Sequence, residues 1–75
     1  MSYIIATFYK FVTLSELKTK SSQILAFCKN HQLKGTIILA DEGINGTIAG
    51  NREAISQAIA YLRAIPGLED LEPKE

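Results

Sequence analysis

An α+β sandwich in the order β-α-β-β-α-β, with two helices on one face of a four-stranded antiparallel sheet, is the fold this sequence predicts. Three observations carry the prediction. Residues 14–30 and 51–63 repeat apolar side chains at helical spacing. Runs rich in β-branched and aromatic residues precede each of them, at 2–12 and 35–50. A further stretch with apolar residues, 68–74, follows the second helix.

Ser2 to Val12 reads as the first strand. Its faces differ: Ile4, Ala6, Phe8 and Lys10 lie on one, and Tyr3, Ile5, Thr7, Tyr9 and Phe11 on the other. Thr13-Leu-Ser-Glu16 has the form of a capping box, with Val12 and Leu17 placed as its hydrophobic staple. Leu14, Leu17, Ser21, Ile24, Leu25 and Cys28 then predict one buried helical stripe through about Asn30. Gly35 to Asp41 reads as the second strand. Asn45-Gly46 predicts a two-residue type I′ turn with positive φ, flanked by Ile44 and Thr47, leading into a short third strand from Thr47 to Ala49. Gly43 marks a bulge or the close approach of another chain or ligand, and Gly50 releases the strand. Asn51 is placed as an N-cap with Glu53 in the first turn, and Ile55, Ala58, Ile59 and Leu62 form the second apolar stripe. Pro66-Gly67 stops that helix. Leu68 to Lys74 is read as an edge strand or extended tail, because Pro73 cannot donate to an interior ladder. The whole is the ferredoxin-like, split βαβ arrangement.

Seventy-five residues allow one core, residues 1–75, and a chain of this size buries only about 60% of its unfolded surface. Eight basic and eight acidic side chains cancel, which excludes a strong non-specific grip on a polyanion. A single cysteine excludes an internal disulfide, and no N-terminal basic region joins an apolar run of signal-peptide length, so a reducing cytoplasm is the expected location, with no membrane partner. Asn45-Gly46-Thr47 is a glycosylation sequon only in form, since it needs a secretory route.

Candidate catalytic chemistry is sparse. Cys28 falls on the buried stripe, where a free thiol acts as a small hydrophobe. His31 has no Cys, His or Asp at ligand spacing, so no metal site is expected. Asp41 and Glu42, adjacent in an extended strand, point to opposite faces and do not share a substrate. The glycine-rich segment lacks the Gly-Lys-Ser/Thr ending of a P-loop. Lys20, Phe27 and His31 on one flank of the first helix, and Lys18 and Lys29 on the other, suit a solvated helix better than a phosphate track.

The sheet face without helices is more informative. With Ile4, Ala6 and Phe8 turned to the helices, that face receives Tyr3, Ile5, Tyr9 and Phe11, and the second strand adds either Ile37/Leu39 or Ile38/Ala40. Strands apolar on both faces are normally covered on both. A docking surface is therefore expected. Base stacking on Tyr3, Tyr9 and Phe11 is the weaker alternative, because no basic-aromatic RNP signature is present and Asp41 and Glu42 repel phosphate.

Glu42-Gly43-Ile44-Asn45-Gly46-Thr47, followed by Ala49-Gly50, resembles the signature of the N-terminal domain of the rhodanese-containing tRNA uridine hydroxylases. Tyr9-Lys10-Phe11-Val12, Lys34-Gly35-Thr36, Ala60-Tyr61-Leu62-Arg63 and Lys74-Glu75 extend the resemblance over nearly the full length. The resemblance implies one piece of a larger enzyme that installs a 5-hydroxyl on the wobble uridine of tRNA using oxygen, with the reactive cysteine on a downstream rhodanese-type domain. It implies that this piece has no catalytic residue, cofactor or metal of its own, and that it positions tRNA or braces the rhodanese-type domain. If this piece contacts RNA, Lys10, Lys34, Asn45 and Arg52 around the end of the motif are the expected contacts, before the lysines of the first helix. An end at Lys74-Glu75 without a break in pattern suggests an excised domain.

The fold also resembles acylphosphatase, whose catalysis requires a glycine-rich phosphate loop with an arginine after the first strand. Phe11-Val-Thr-Leu-Ser-Glu16 has neither residue, which argues against that activity. A ligand-sensing or dimerising ferredoxin-like module is the remaining alternative.

Overall fold

The computed structural model describes residues 3–75, so the predicted strand start at Ser2 lies outside the described residues. The elements are β1 (Ile4–Phe11), α1 (Leu17–Asn30), β2 (Lys34–Ala40), β3 (Gly43–Gly50) and α2 (Arg52–Arg63). They form an antiparallel sheet in the order β1-β3-β2. The central strand β3 pairs from end to end with both neighbours, from Ile4↔Gly50 to Phe11↔Gly43 and from Lys34↔Ala49 to Ala40↔Gly43. Ala6, Phe8, Ile44 and Ile48 meet Ile55, Ala58, Ile59 and Leu62 of α2 in the core.

The Asn45-Gly46 turn does not form. The chain reverses instead at Asp41-Glu42, and Asn45-Gly46 lies in the middle of β3. A central strand must satisfy ladders on both sides, and a turn at Asn45 would strip Tyr9 and Phe11 of their partners; tertiary pairing overrides the local turn preference. Gly46 has no positive φ. It sits between Phe8 and Ile37, where a Cβ would lie 3.0 Å from Phe8 Cζ. Within β3 the glycine that the backbone does require is Gly43, at φ +153°, where a Cβ would lie 2.1 Å from the Lys10 carbonyl O. The close approach expected at Gly43 is made by β1 of the chain itself.

The capping box does not form either. Val12 N–H donates to the Glu42 carbonyl at 3.0 Å and Leu14 N–H to the Asp41 carbonyl at 3.1 Å, so residues 12–14 are stitched to the hairpin turn and cannot begin a helix. Helix α1 starts after Glu16, which has φ 53° and no side-chain cap bond. Its stripe is also rotated from expectation. Ile24 is the one fully buried residue of α1, Ser21 and Leu25 are exposed, and Phe27 is drawn inward by stacking on Tyr61 at 4.4 Å. Helix α2 follows the sequence reading: Asn51 Oδ1 accepts from Ala54 N–H at 2.7 Å, and Ile55, Ala58, Ile59 and Leu62 are buried.

The fourth strand reduces to one bridge. Leu68 and Leu71 are fully buried through successive turns, Leu68 N–H donating to Ile65 and Leu71 N–H to Leu68, so this segment fills the core and does not extend along the sheet. Only at Lys74 does it reach β1, exchanging two bonds with Thr7 at 2.8 and 2.7 Å.

Candidate interaction face

The register places open-face side chains in rows across the sheet. Phe11, Gly43 and Ala40 form one row; Tyr9, Asn45 and Ile38 the next; Thr7, Thr47 and Thr36 the third; Ile5, Ala49 and Lys34 the fourth. Tyr3, Ile5, Tyr9, Phe11 and Ile38 are between 53% and 84% exposed. Of the docking residues expected from sequence, Ile5, Tyr9 and Phe11 thus share one surface, and Tyr3 stands exposed just before β1. The choice left open in β2 is settled for Ile38 and Ala40, with Ile37 and Leu39 turned toward the helices.

The family signature is this central strand seen from both sides. Ile44 and Ile48 enter the core, Gly46 clears the Phe8 ring, and a Cβ on Gly50 would meet Leu33 Cδ2 at 2.5 Å. On the open side Gly43, Asn45, Thr47 and Ala49 are small or short, and the larger Tyr9, Phe11 and Ile38 stand along their flanks. The result is a trough of about 440 Å³ lined by Tyr9, Phe11, Ile38, Ala40, Gly43 and Asn45. Tyr9 and Phe11 brace each other edge to face at 6.0 Å. Thr7 and Thr47 hydroxyls meet at 3.3 Å below them. Glu42 belongs to the exposed hairpin turn at the trough's end.

The four expected RNA contacts are not brought together. Asn45 and Lys34 share the open face, but two rows apart, roughly 13 Å along the strands. Lys10 turns to the opposite face and pairs with Asp70, whose carboxyl the hydrogen bond from Lys10 holds below its usual range. Arg52 forms a two-pronged pair with Glu75 at 2.5 and 2.7 Å; that bond lowers the Glu75 carboxyl and raises the guanidinium. Two of the three cations among them are therefore engaged by the chain's own carboxylates. Of the strand side chains on the open face, Lys34 alone is charged.

Cys28 is half-buried in α1 and burial pushes its thiol up, away from a reactive thiolate. His31 Nδ1 donates to the Phe27 carbonyl at 2.9 Å and its ring stacks on Phe27 at 4.0 Å. Among the described residues no group of three or more His, Cys, Asp or Glu side chains could hold a metal, and no helix is long and apolar enough to cross a membrane. Sequence reasoning missed Leu25, which it placed in the core and which lies exposed on α1.

The order of elements, the single bridge of the tail to β1, and the helix-free face define an acylphosphatase-like sandwich without the acylphosphatase loop. Residues 12–16, where that loop would lie, contain no glycine or arginine and spend two N–H groups on the hairpin turn. The chain belongs to the family of the UPF0176 acylphosphatase like domain, which matches residues 3–75. It is 47% identical over 73 residues to a protein of Teredinibacter turnerae, covering 97% of this chain and 23% of that protein. Over 75 residues it is 51% identical to proteins of Wolbachia pipientis and of the Wolbachia of Brugia malayi, covering the whole chain and 27% and 28% of theirs. All three carry the name tRNA uridine(34) hydroxylase. The chain spans about a quarter of the length of these relatives.

Proposed function

We propose that this chain is the N-terminal domain of a tRNA uridine(34) hydroxylase, non-catalytic itself, whose open sheet face docks the rest of the enzyme. The rest includes, by the resemblance stated above, the rhodanese-type domain that carries the chemistry of oxygen-dependent wobble-uridine hydroxylation, and it works in the cytoplasm where tRNA is found. The observation that carries this reading is the exposure of Tyr3, Ile5, Tyr9, Phe11 and Ile38, of which Tyr9, Phe11 and Ile38 line a trough. Exposed apolar surface of this kind usually marks an interaction site. Charge supports docking over RNA binding, because Lys10 and Arg52 are paired internally.

Replacing Tyr9 and Phe11 by serine tests the reading. Both side chains are exposed, so the fold should persist. Affinity for the remaining domains of a related hydroxylase, produced as a separate polypeptide, should fall by about 3 kcal/mol, roughly a hundredfold, if the two rings are central to the contact. Unchanged affinity would remove the open face as the docking surface.

A further inference from the structure

Among the described residues, the outer edge of β2 has no strand beside it, whereas that of β1 is bridged by Lys74. Open edges are usually blunted by proline, bulges, charge or a covering loop. Lys34-Gly-Thr-Ile-Ile-Leu-Ala40 has no proline, and its one charge is at its first residue. The connection Asp41-Glu42 closes on the Ala40–Gly43 pair, so that pair exchanges hydrogen bonds within the hairpin. Alternation then turns the N–H and C=O groups of Gly35, Ile37 and Leu39 outward. Gly35 agrees: a Cβ there would meet the Thr47 carbonyl O at 2.0 Å, so its Cα hydrogens, not its N–H and C=O, face β3. Beside this edge α1 leaves an apolar cleft of about 270 Å³, lined by Leu25, Cys28, Leu33, Gly35, Ile37 and Leu39, with Leu25 70% exposed.

We infer that this edge and cleft form a two-fold dimer surface, occupied by β2 of a second copy of the chain. Side chains keep to matching faces only if the two-fold axis passes a residue paired with itself, because a one-residue slip exchanges the faces. Centring on Ile37 uses the whole strand. That register sets Leu39 of each copy opposite Gly35 of the other, a side chain against the open end of the cleft, and Thr36 opposite Ile38. Lys34 faces Ala40, so no like charges meet, and Asp41 of the other copy lies one residue beyond, beside the ammonium. The strand edge is thus complementary to itself in hydrogen bonds, with Lys29 and Lys34 at the margin of the cleft. It leaves the trough on the open face free.

Sedimentation of the chain from micromolar to millimolar concentration tests the inference. The mass should rise from 8.3 kDa toward twice that value. Leu25→Glu, at an exposed position that leaves the fold intact by circular dichroism, should hold the monomer mass. Amide exchange at Ile37 and Leu39 should slow on dimerisation in the parent chain and not in the variant. A monomer at every concentration would overturn the inference. So would growth past the dimer, or a dimer that protects open-face residues and not the β2 edge.

Discussion

Substituting Gly46 by alanine separates packing from backbone conformation at the centre of the sheet. Gly46 pairs with Phe8 on one side and Ile37 on the other, without positive φ, so an L side chain meets no backbone penalty. Propensity alone would favour alanine in a strand interior by about 0.5–1 kcal/mol. Space decides the other way. A Cβ would lie 2.8 Å from the Thr36 carbonyl O, 3.0 Å from Phe8 Cζ and 3.1 Å from Ile37 Cα. Two of these are backbone atoms of β2 and cannot rotate aside. Forcing a methyl group into a filled core costs about 1–3 kcal/mol, so the net loss is about 1–2 kcal/mol. In a domain of this size each kcal/mol lowers Tm by roughly 4–8 °C, readable by thermal circular dichroism. Gly46→Asn should be worse than Gly46→Ala, the reverse of the order for a left-handed turn, which tolerates asparagine. Phe8→Leu withdraws the ring contact, so the pair F8L/G46A should cost about 0.5–1 kcal/mol less than the sum of its parts. An alanine variant as stable as the parent, or a strictly additive pair, would refute the packing account.

Two other expectations follow from the caps and the ion pairs. Asn51→Ala should cost about 1 kcal/mol in a urea melt through loss of the bond to Ala54 N–H, whereas Thr13→Ala should be close to neutral, because Thr13 caps no helix; an equal cost at both positions would restore the capping box. Asp70 and Glu75 are both held below their ordinary range when folded, so the unfolded chain takes up protons first as pH falls. Stability from these carboxylates is present above the unfolded pKa and is lost as the pH drops through the folded one. Asp70→Asn with Glu75→Gln should flatten that acid limb of Tm against pH, and high salt should do the same because the pairs are exposed.

Where the sequence was legible, local and tertiary demands agreed. Asn51 with Ile55, Ala58, Ile59 and Leu62 reads as a capped amphipathic helix, and it folds as one because that stripe is the one the sheet needs. Alternation in β1 likewise identified both of its faces. At Asn45-Gly46 the two demands part. The dipeptide favours a turn in isolation, but β3 must serve two neighbours, and its glycines answer to Phe8 and Lys10 across the sheet, which no local pattern records. The same holds for α1: Leu14 is buried, yet in a segment bonded to the hairpin turn, and the phase of the helix is set by Phe27 against Tyr61 on α2. Leu68 and Leu71 look like strand residues and serve as core plugs, since Pro66, Gly67 and Pro73 break the extension between them and β1. The trough was only half legible for a related reason: the exposed aromatics of β1 could be read from alternation, but Asn45 of its floor was assigned to a turn and Gly43 to a bulge or the approach of another chain or ligand.

The most direct measurement is an amide NMR titration of the chain, in parallel, with the remaining domains of a related hydroxylase and with a tRNA anticodon stem-loop at low and moderate salt. The docking account predicts shifts on β1 and at Ile38, Gly43 and Asn45 with the protein ligand, and only weak, salt-sensitive shifts with the RNA. Shifts on β1 and residues 41–52 produced by the stem-loop and surviving moderate salt, with none from the protein ligand, would contradict it and make the open face an RNA-positioning surface.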